Sequence, residues 1–222
     1  MNYIKWAKQN KKSLVAKIVG EAKPLSDKAQ PIAVFAAGIP GAGKTEFLDK
    51  LLEGIENIVR IDMDEVVKLF EDYSADRYYE FRGAANIIVD ESVIYCRHNR
   101  LDFVLDGTFG SGRAVDNVKN ALKRHRVTIF YVYKDPVVAW KHTKDRQLIT
   151  KRGVDKDGFI ESCIKVPNNL KEVRDKFGDK VSIMLIRKDL ENDTFQLTKD
   201  MSVIDDLLEV RYTSSSLKKI IL

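Results

Sequence analysis

A chain of 222 residues holds one domain or a small two-part fold, long enough to bury a sizeable core without disulfide staples. Its two cysteines, Cys96 and Cys163, sit in apolar segments without CxxC spacing, and His98, His125 and His142 are scattered, which speaks against a disulfide framework or a metal cluster. The net charge of +5 comes from one end: residues 1–30 carry seven lysines against Glu21 and Asp27, while the other 192 residues hold 31 basic and 31 acidic side chains. That balance makes nucleic acid an unexpected partner.

In chain order, residues 1–30 predict a lysine-rich N-terminal helical arm, whose Leu14, Val15, Ile18 and Val19 could face a core. Lysines interrupt its apolar residues too often for a signal peptide or a membrane span, so the expected location is cytoplasmic. Near-continuous apolar runs at 32–37, 58–61, 102–105, 127–133 and 180–186 read as strands buried on both faces of a parallel sheet. Helical segments near 43–54, 64–71, 76–99, 113–126, 136–147 and 157–176 alternate with them. The alternation predicts an α/β three-layer fold, with a mostly parallel central sheet of about five strands and helices on both faces. Its core spans 31–190, and residues 191–222 are expected as a C-terminal extension packed on that core.

The segment Gly38-Ile39-Pro40-Gly41-Ala42-Gly43-Lys44-Thr45 matches GxxxxGK[ST] between the first strand and the first core helix. Glycines there let successive backbone N–H groups turn toward one anion, and the helix that follows adds its N-terminal dipole. The motif predicts a P-loop NTPase fold, with residues 38–46 (Glu46 included) binding nucleotide, Lys44 reaching the β/γ-phosphates and the Thr45 hydroxyl on Mg²⁺. The expected nucleotide is ATP, since no guanine-type NKxD motif occurs.

Ligands of such a sheet gather at the C-terminal strand ends, so the residues there carry the rest of the reading. "IDMD" puts Asp62 and Asp64 at the end of the second strand, as a catalytic base and a water-orienting acid or as helix-capping acids. "VLDGT" ends the third strand with Asp106, placed to hold Mg²⁺ through water, and with Thr108, whose hydroxyl could meet phosphate or substrate. Residues 119–152 hold ten Lys/Arg against Asp135 and Asp145, and Arg146 and Arg152 fall where a lid over 146–156 would carry arginines to a transferring phosphoryl group.

With "GIPGAGKT", "IDMD", "LDGT", the arginine pair and "IKVPNNLKEV" in this order, the stretch from Ile32 to about Val173 resembles the zeta toxin family of P-loop kinases. The resemblance implies an ATP-dependent kinase acting on the 3′-hydroxyl of the amino sugar in UDP-N-acetylglucosamine, restrained by a small antitoxin. It implies Asp64 as catalytic base, Lys44 and Thr45 on Mg-ATP, Arg146 and Arg152 on the phosphates, and Thr108 on the sugar nucleotide. Two positions depart from the family pattern. Asp90, beside Glu91, stands where a Glu is usual, and Phe109-Gly110 follows the Gly-Thr turn where an Arg is common, with Arg113 arriving later. Asp62, Asp64, Asp90, Thr108 and Arg113 are thus the expected acceptor-side residues. Two other functions compete with this one. A polynucleotide or nucleoside kinase shares the loop and the strand-end aspartate but needs a basic channel, against the neutral balance of 31–222. A nucleotide-switched binding module needs no strand-end carboxylates.

Overall fold

Burial in the sheet explains why the apolar runs become strands, on both faces for the central β1 and on alternate residues for the edge strand β2. β1 (Ile32–Ala37) is buried along nearly its whole length, and it pairs in parallel with β3 (Asp102–Asp106) on one side and β4 (Arg126–Val132) on the other. β2 (Ile58–Asp62) pairs with β3, and β5 (Val181–Asp189) with β4, both in parallel. The computed structural model describes residues 2–24, 30–150, 153–189, 194–209 and 212–221. Among these the sheet has six strands in the order β2-β3-β1-β4-β5-β6. The strand beyond the expected five, β6 (Thr194–Thr198), comes from the C-terminal segment and adds antiparallel to β5.

The intervening segments are helices α2 (Lys44–Leu52), α3 (Met63–Val67), α4 (Tyr78–His98), α5 (Ala114–Ala121), α6 (Pro136–Thr150) and α7 (Lys156–Phe177). Phe47 of α2 packs on Phe130, whereas Phe109, in the loop before α5, packs on Phe35. Phe35 pairs with Ile129 and Ala36 with Phe130 in the β1–β4 register, so Phe35 and Phe130 point to opposite faces and both faces are covered. Helix starts are set by short polar caps: Asp62 accepts from the Asp64 N–H at 2.8 Å, and Asp155 from the Gly158 N–H at 2.8 Å. α3 is shorter than the sequence pattern suggests. Lys68 to Tyr73 turn tightly instead, carrying Phe70 into the core.

Before the sheet lies α1 (Tyr3–Val19), which packs chiefly along α4. Ala7, Leu14, Val15 and Val19 are buried, and Ile18 is partly buried. Its first turn joins an aromatic cluster: Tyr3 lies 4.4 Å from Phe81, Trp6 5.1 Å from Phe70, and Phe70 5.6 Å from Phe81 between ring centroids. After β6 come α8 (Met201–Leu208), which lays Ile204, Leu207 and Leu208 against the core, and α9 (Ser214–Ile220), closed by a Thr213–Ser216 capping box. The Tyr212 hydroxyl donates to Asp135 at the start of α6, at 2.9 Å. Among the described residues no helix is long and apolar enough to cross a membrane.

Phe81 is fully buried at the centre of the aromatic cluster. Phe81→Ala is expected to cost about 3–5 kcal/mol of stability. Urea unfolding should show this as a lowered midpoint with an unchanged slope.

Candidate active site

The strands that flank β1 run parallel to it, so their C-terminal ends open on one side and line a cleft of about 910 Å³. The phosphate-loop motif forms its floor. Backbone crowding dictates two of the glycines: a Cβ at Gly38 would lie 2.4 Å from the Val132 carbonyl oxygen, and one at Gly41 2.2 Å from that of Ala139. Both residues also hold positive φ, +148° and +78°. The Gly38 N–H donates to the Thr108 carbonyl at 3.0 Å, tying this loop to the one after β3. α2 begins at Lys44, so the first-turn N–H groups of Lys44, Thr45 and Glu46 have no partner within the helix.

The Lys44 ammonium donates to the Ile39 carbonyl at 3.0 Å. Burial pushes its pKa down to about 8; Asp106, Asp64 and Asp62 pull it back up, and Arg146 adds to the depression. Thr45 is exposed to the cleft, and Glu46 pairs with Lys188 of β5 at 2.5 Å.

Three carboxylates meet at the strand ends. Asp62 and Asp106 are register partners on β2 and β3, and Asp106 is buried. The Asp62 side chain caps α3, the structural role weighed above, and also lines the cleft beside Asp64. Burial, then the like charge of Asp106, raise the Asp62 pKa to about 6, against the pull of the Asp64 N–H. Asp64 sits with the Tyr78 hydroxyl 3.5 Å from its Oδ1 and the Arg146 guanidinium 4.0 Å from its Oδ2. Arg146 reaches it from α6, whose Thr143 and Ala139 back the loop at Gly41. Arg152, the second expected lid arginine, lies outside the described residues.

The other half of the cleft lies between α4, the β3–α5 loop and α7. Thr108 Oγ1 accepts from the Gly110 N–H at 3.2 Å. Phe109, which the sequence pattern places at the acceptor pocket, is almost wholly buried, and its ring packs 6.2 Å from Phe35. Arg113 turns back to pair with Asp90 of α4. Burial raises the Asp90 pKa, with the Arg113 charge opposing it. Tyr79 accepts from the Asp155 N–H at 2.9 Å, so the segment entering α7 is attached to the start of α4.

Two polar side chains here had no role assigned from the sequence, although Asn169 lies within the "IKVPNNLKEV" motif. Arg60 donates through one guanidinium nitrogen to Asp106 at 2.7 Å and through the other to Asp49 of α2. The one basic residue in the strand "IVRID", two residues before Asp62 and so on its face, was the available clue. Asn169, in the "VPNNL" segment of α7, donates to the carbonyls of Phe109 and Ser111 at 2.8 and 3.1 Å. Nothing in spacing alone connects residues 60 positions apart.

The strand-end carboxylates carry an energetic cost of their own. Asp62 rises from an ordinary 3.8 to about 6, so folding favours its protonated form, and stability is lost as pH rises from about 4 through 6. Asp62→Asn keeps an oxygen to cap α3 and removes the charge. The ligand-free variant should be about 1–3 kcal/mol more stable than wild type at pH 7.5, and the gain should vanish near pH 4. Melting temperatures across that range measure it.

The model of the family described as Zeta toxin matches residues 16–199. Among solved structures, a chain of the PezAT chromosomal toxin–antitoxin system of Streptococcus pneumoniae superposes with a TM-score of 0.61 at 17% identity, over 97% of this chain and 90% of that one. A chain of the AvrRxo1-ORF1:AvrRxo1-ORF2 complex with ATP gives 0.65 at 13% identity, over 95% and 72%. One from the Pnkp1/Rnl/Hen1 RNA repair complex gives 0.51 at 23%, over 68% of this chain and 48% of that one. No curated protein sequence matches it. The structural likenesses establish a P-loop kinase fold, and the family match extends over most of the sequence: the chain belongs to the zeta toxin family and is a kinase-type phosphotransferase.

Proposed function

We propose that the chain transfers the γ-phosphate of ATP to a sugar-nucleotide hydroxyl, the 3′-hydroxyl of the amino sugar in UDP-N-acetylglucosamine being the first choice. One observation carries the reading. Asp64 lies in the same cleft as the Lys44 loop and 4.0 Å from Arg146, so a carboxylate, an ammonium and a guanidinium surround one space. A phosphoryl transfer needs those charges: a carboxylate to take the hydroxyl proton and cations to meet charge on the transferring group.

In this reading residues 38–46 cradle the triphosphate, chiefly through the first-turn N–H groups of Lys44, Thr45 and Glu46, and the Lys44 ammonium pairs with it. Asp64 accepts the proton of the attacking hydroxyl, and Arg146 and Arg152 neutralise the phosphoryl oxygens. The acceptor lies between Thr108, Asp90 and Arg113, with Asp62 beside it. The donor set suits a small divalent cation: half-buried Asp62 lies beside buried Asp106, and the charge of Asp106 penalises that of Asp62. Among the described residues no group of three or more Asp, Glu, His or Cys side chains forms a cage, so Mg²⁺ would draw further ligands from phosphate oxygens and water. Thr45 and Asp106 would hold it, and it would supply charge neutralisation at the β- and γ-phosphates. A small antitoxin is the protein partner proposed, in line with the toxin–antitoxin assembly of the PezAT relative.

The test incubates the protein and Mg-ATP with UDP-N-acetylglucosamine, other sugar nucleotides, nucleosides and 5′-hydroxyl RNA, and looks for an added phosphate by mass spectrometry. A phosphorylated sugar nucleotide supports the reading. Faster labelling of RNA ends moves the assignment to a polynucleotide kinase, and ATP binding with no product anywhere overturns phosphoryl transfer to these acceptors. Asp64→Asn should keep ATP affinity and lower turnover by about 10²–10⁴-fold. Lys44→Ala should weaken the nucleotide complex itself. Because the free loop holds Lys44 near pKa 8 and phosphates would raise it, ATP binding should take up a proton above pH 8. Affinity should be flat below that pH and fall above it by up to about tenfold per unit. Titration calorimetry in buffers of different ionisation enthalpy reads both effects.

A further inference from the structure

The "VPNNL" segment of α7 has no part in the chemistry described so far, yet it touches the loop that carries Thr108 and Arg113. We infer that Asn169 is a positioning residue: its side-chain amide holds the β3–α5 loop in the conformation that presents Thr108 and Arg113 to the acceptor. The inference rests on the kinase reading above and adds a residue to its acceptor side.

The loop is strained and needs an external hold. Phe109 adopts φ +65°, a left-handed conformation that a bulky L-residue seldom takes without compensation. Its ring is anchored on Phe35, but ring packing alone does not fix the peptide groups on either side. Asn169 does so. Its one amide nitrogen donates to the Phe109 carbonyl at 2.8 Å and to the Ser111 carbonyl at 3.1 Å, which uses both of its hydrogens. Those two carbonyls bracket Gly110, whose N–H donates to the Thr108 hydroxyl at 3.2 Å. The orientation of that hydroxyl is therefore set two bonds away from Asn169, through the loop backbone.

The neighbouring residues support the same function. A Cβ at Gly110 would lie 3.7 Å from Val166 and 3.9 Å from Lys165, so the loop runs directly along α7. Pro167 sits inside α7 and brings no N–H, so this turn of the helix lacks one of its own hydrogen bonds. On the other side, the Thr108 carbonyl accepts from Gly38 of the phosphate loop at 3.0 Å. The loop is thus held at two points, by Gly38 on the nucleotide side and by Asn169 on the acceptor side. Removing the second leaves the first in place, which separates acceptor effects from nucleotide effects.

The test compares Asn169→Ala and Asn169→Asp, which lacks both donors at nearly the same shape, with Asn168→Ala, an exposed neighbour one residue away. Kinetics use the acceptor that wild type phosphorylates in the panel above. The expected result is a loss of about tenfold or more in acceptor kcat/KM for both Asn169 variants, with ATP affinity within about twofold of wild type. Asn168→Ala should match wild type. Hydrogen exchange of the peptide covering 107–113 should accelerate in the Asn169 variants while the β1 peptide does not change. Unaltered acceptor kinetics in a folded Asn169→Asp protein overturns the inference, as does an equal loss of ATP affinity, which marks a general structural role. If wild type phosphorylates nothing in the panel, the kinase reading fails by itself, and the exchange measurement then decides whether Asn169 holds the loop.

Discussion

Parallel pairing sets Asp62 of β2 opposite Asp106 of β3 at the same end of the sheet, and a half-buried carboxylate beside a buried one demands cations. The structure supplies them from three directions. Arg60 lies on the strand between Asp106 and Asp49, Lys44 rises from the phosphate loop, and Arg146 comes from α6. Neither set is comfortable without the other. Lys44 is pushed down by burial and Asp62 is pushed up, so the ligand-free cleft holds opposed charges whose desolvation is only partly offset. In the proposed function, a polyphosphate and a divalent cation would each meet a charge that the protein leaves poorly compensated.

The same geometry explains how little freedom the phosphate loop has. Gly38 lies under the Val132 carbonyl of β4, Gly41 lies under Ala139 of α6, and Gly38 donates to Thr108 after β3. The loop is held by three elements that each carry another site residue or lead to one. Movement of α6 would therefore be felt at Gly41, and α6 carries Arg146. Tyr212 binds the first turn of α6 through Asp135, so the C-terminal segment bears on the same helix.

The half of the cleft proposed for the acceptor is built differently, from irregular backbone. Phe109 is strained and turned inward, and Arg113 is engaged with Asp90. The two positions where the sequence departs from the family pattern therefore do not act as bare substitutions at a pocket wall. The aromatic ring supports the loop from beneath, and the arginine reaches back to the acid at 90. In the proposed reading, this is the half of the cleft that meets the acceptor hydroxyl.

What was legible from the residues alone follows the reach of local rules. Apolar runs predicted five strands because burial leaves few polar positions in them, and GxxxxGKT between a strand and a helix marked the loop because close backbone approach admits only glycine at Gly38 and Gly41. Asp62, Asp64 and Asp106 were readable because strand ends in a parallel sheet converge wherever the chain goes next. Arg60 was less so: its side chain looks misplaced in a buried strand until the β2–β3 register puts it beside Asp106. Phe109 and the "VPNNL" segment stood out in the sequence, but their structural roles did not, since a left-handed backbone and a hydrogen bond across 60 residues are products of packing. Sequence determined the fold class and the nucleotide side, where chemistry is written in contiguous residues. Tertiary structure decided the other half of the cleft, because its contacts join α4, α7 and the β3–α5 loop through pairings that no local pattern encodes.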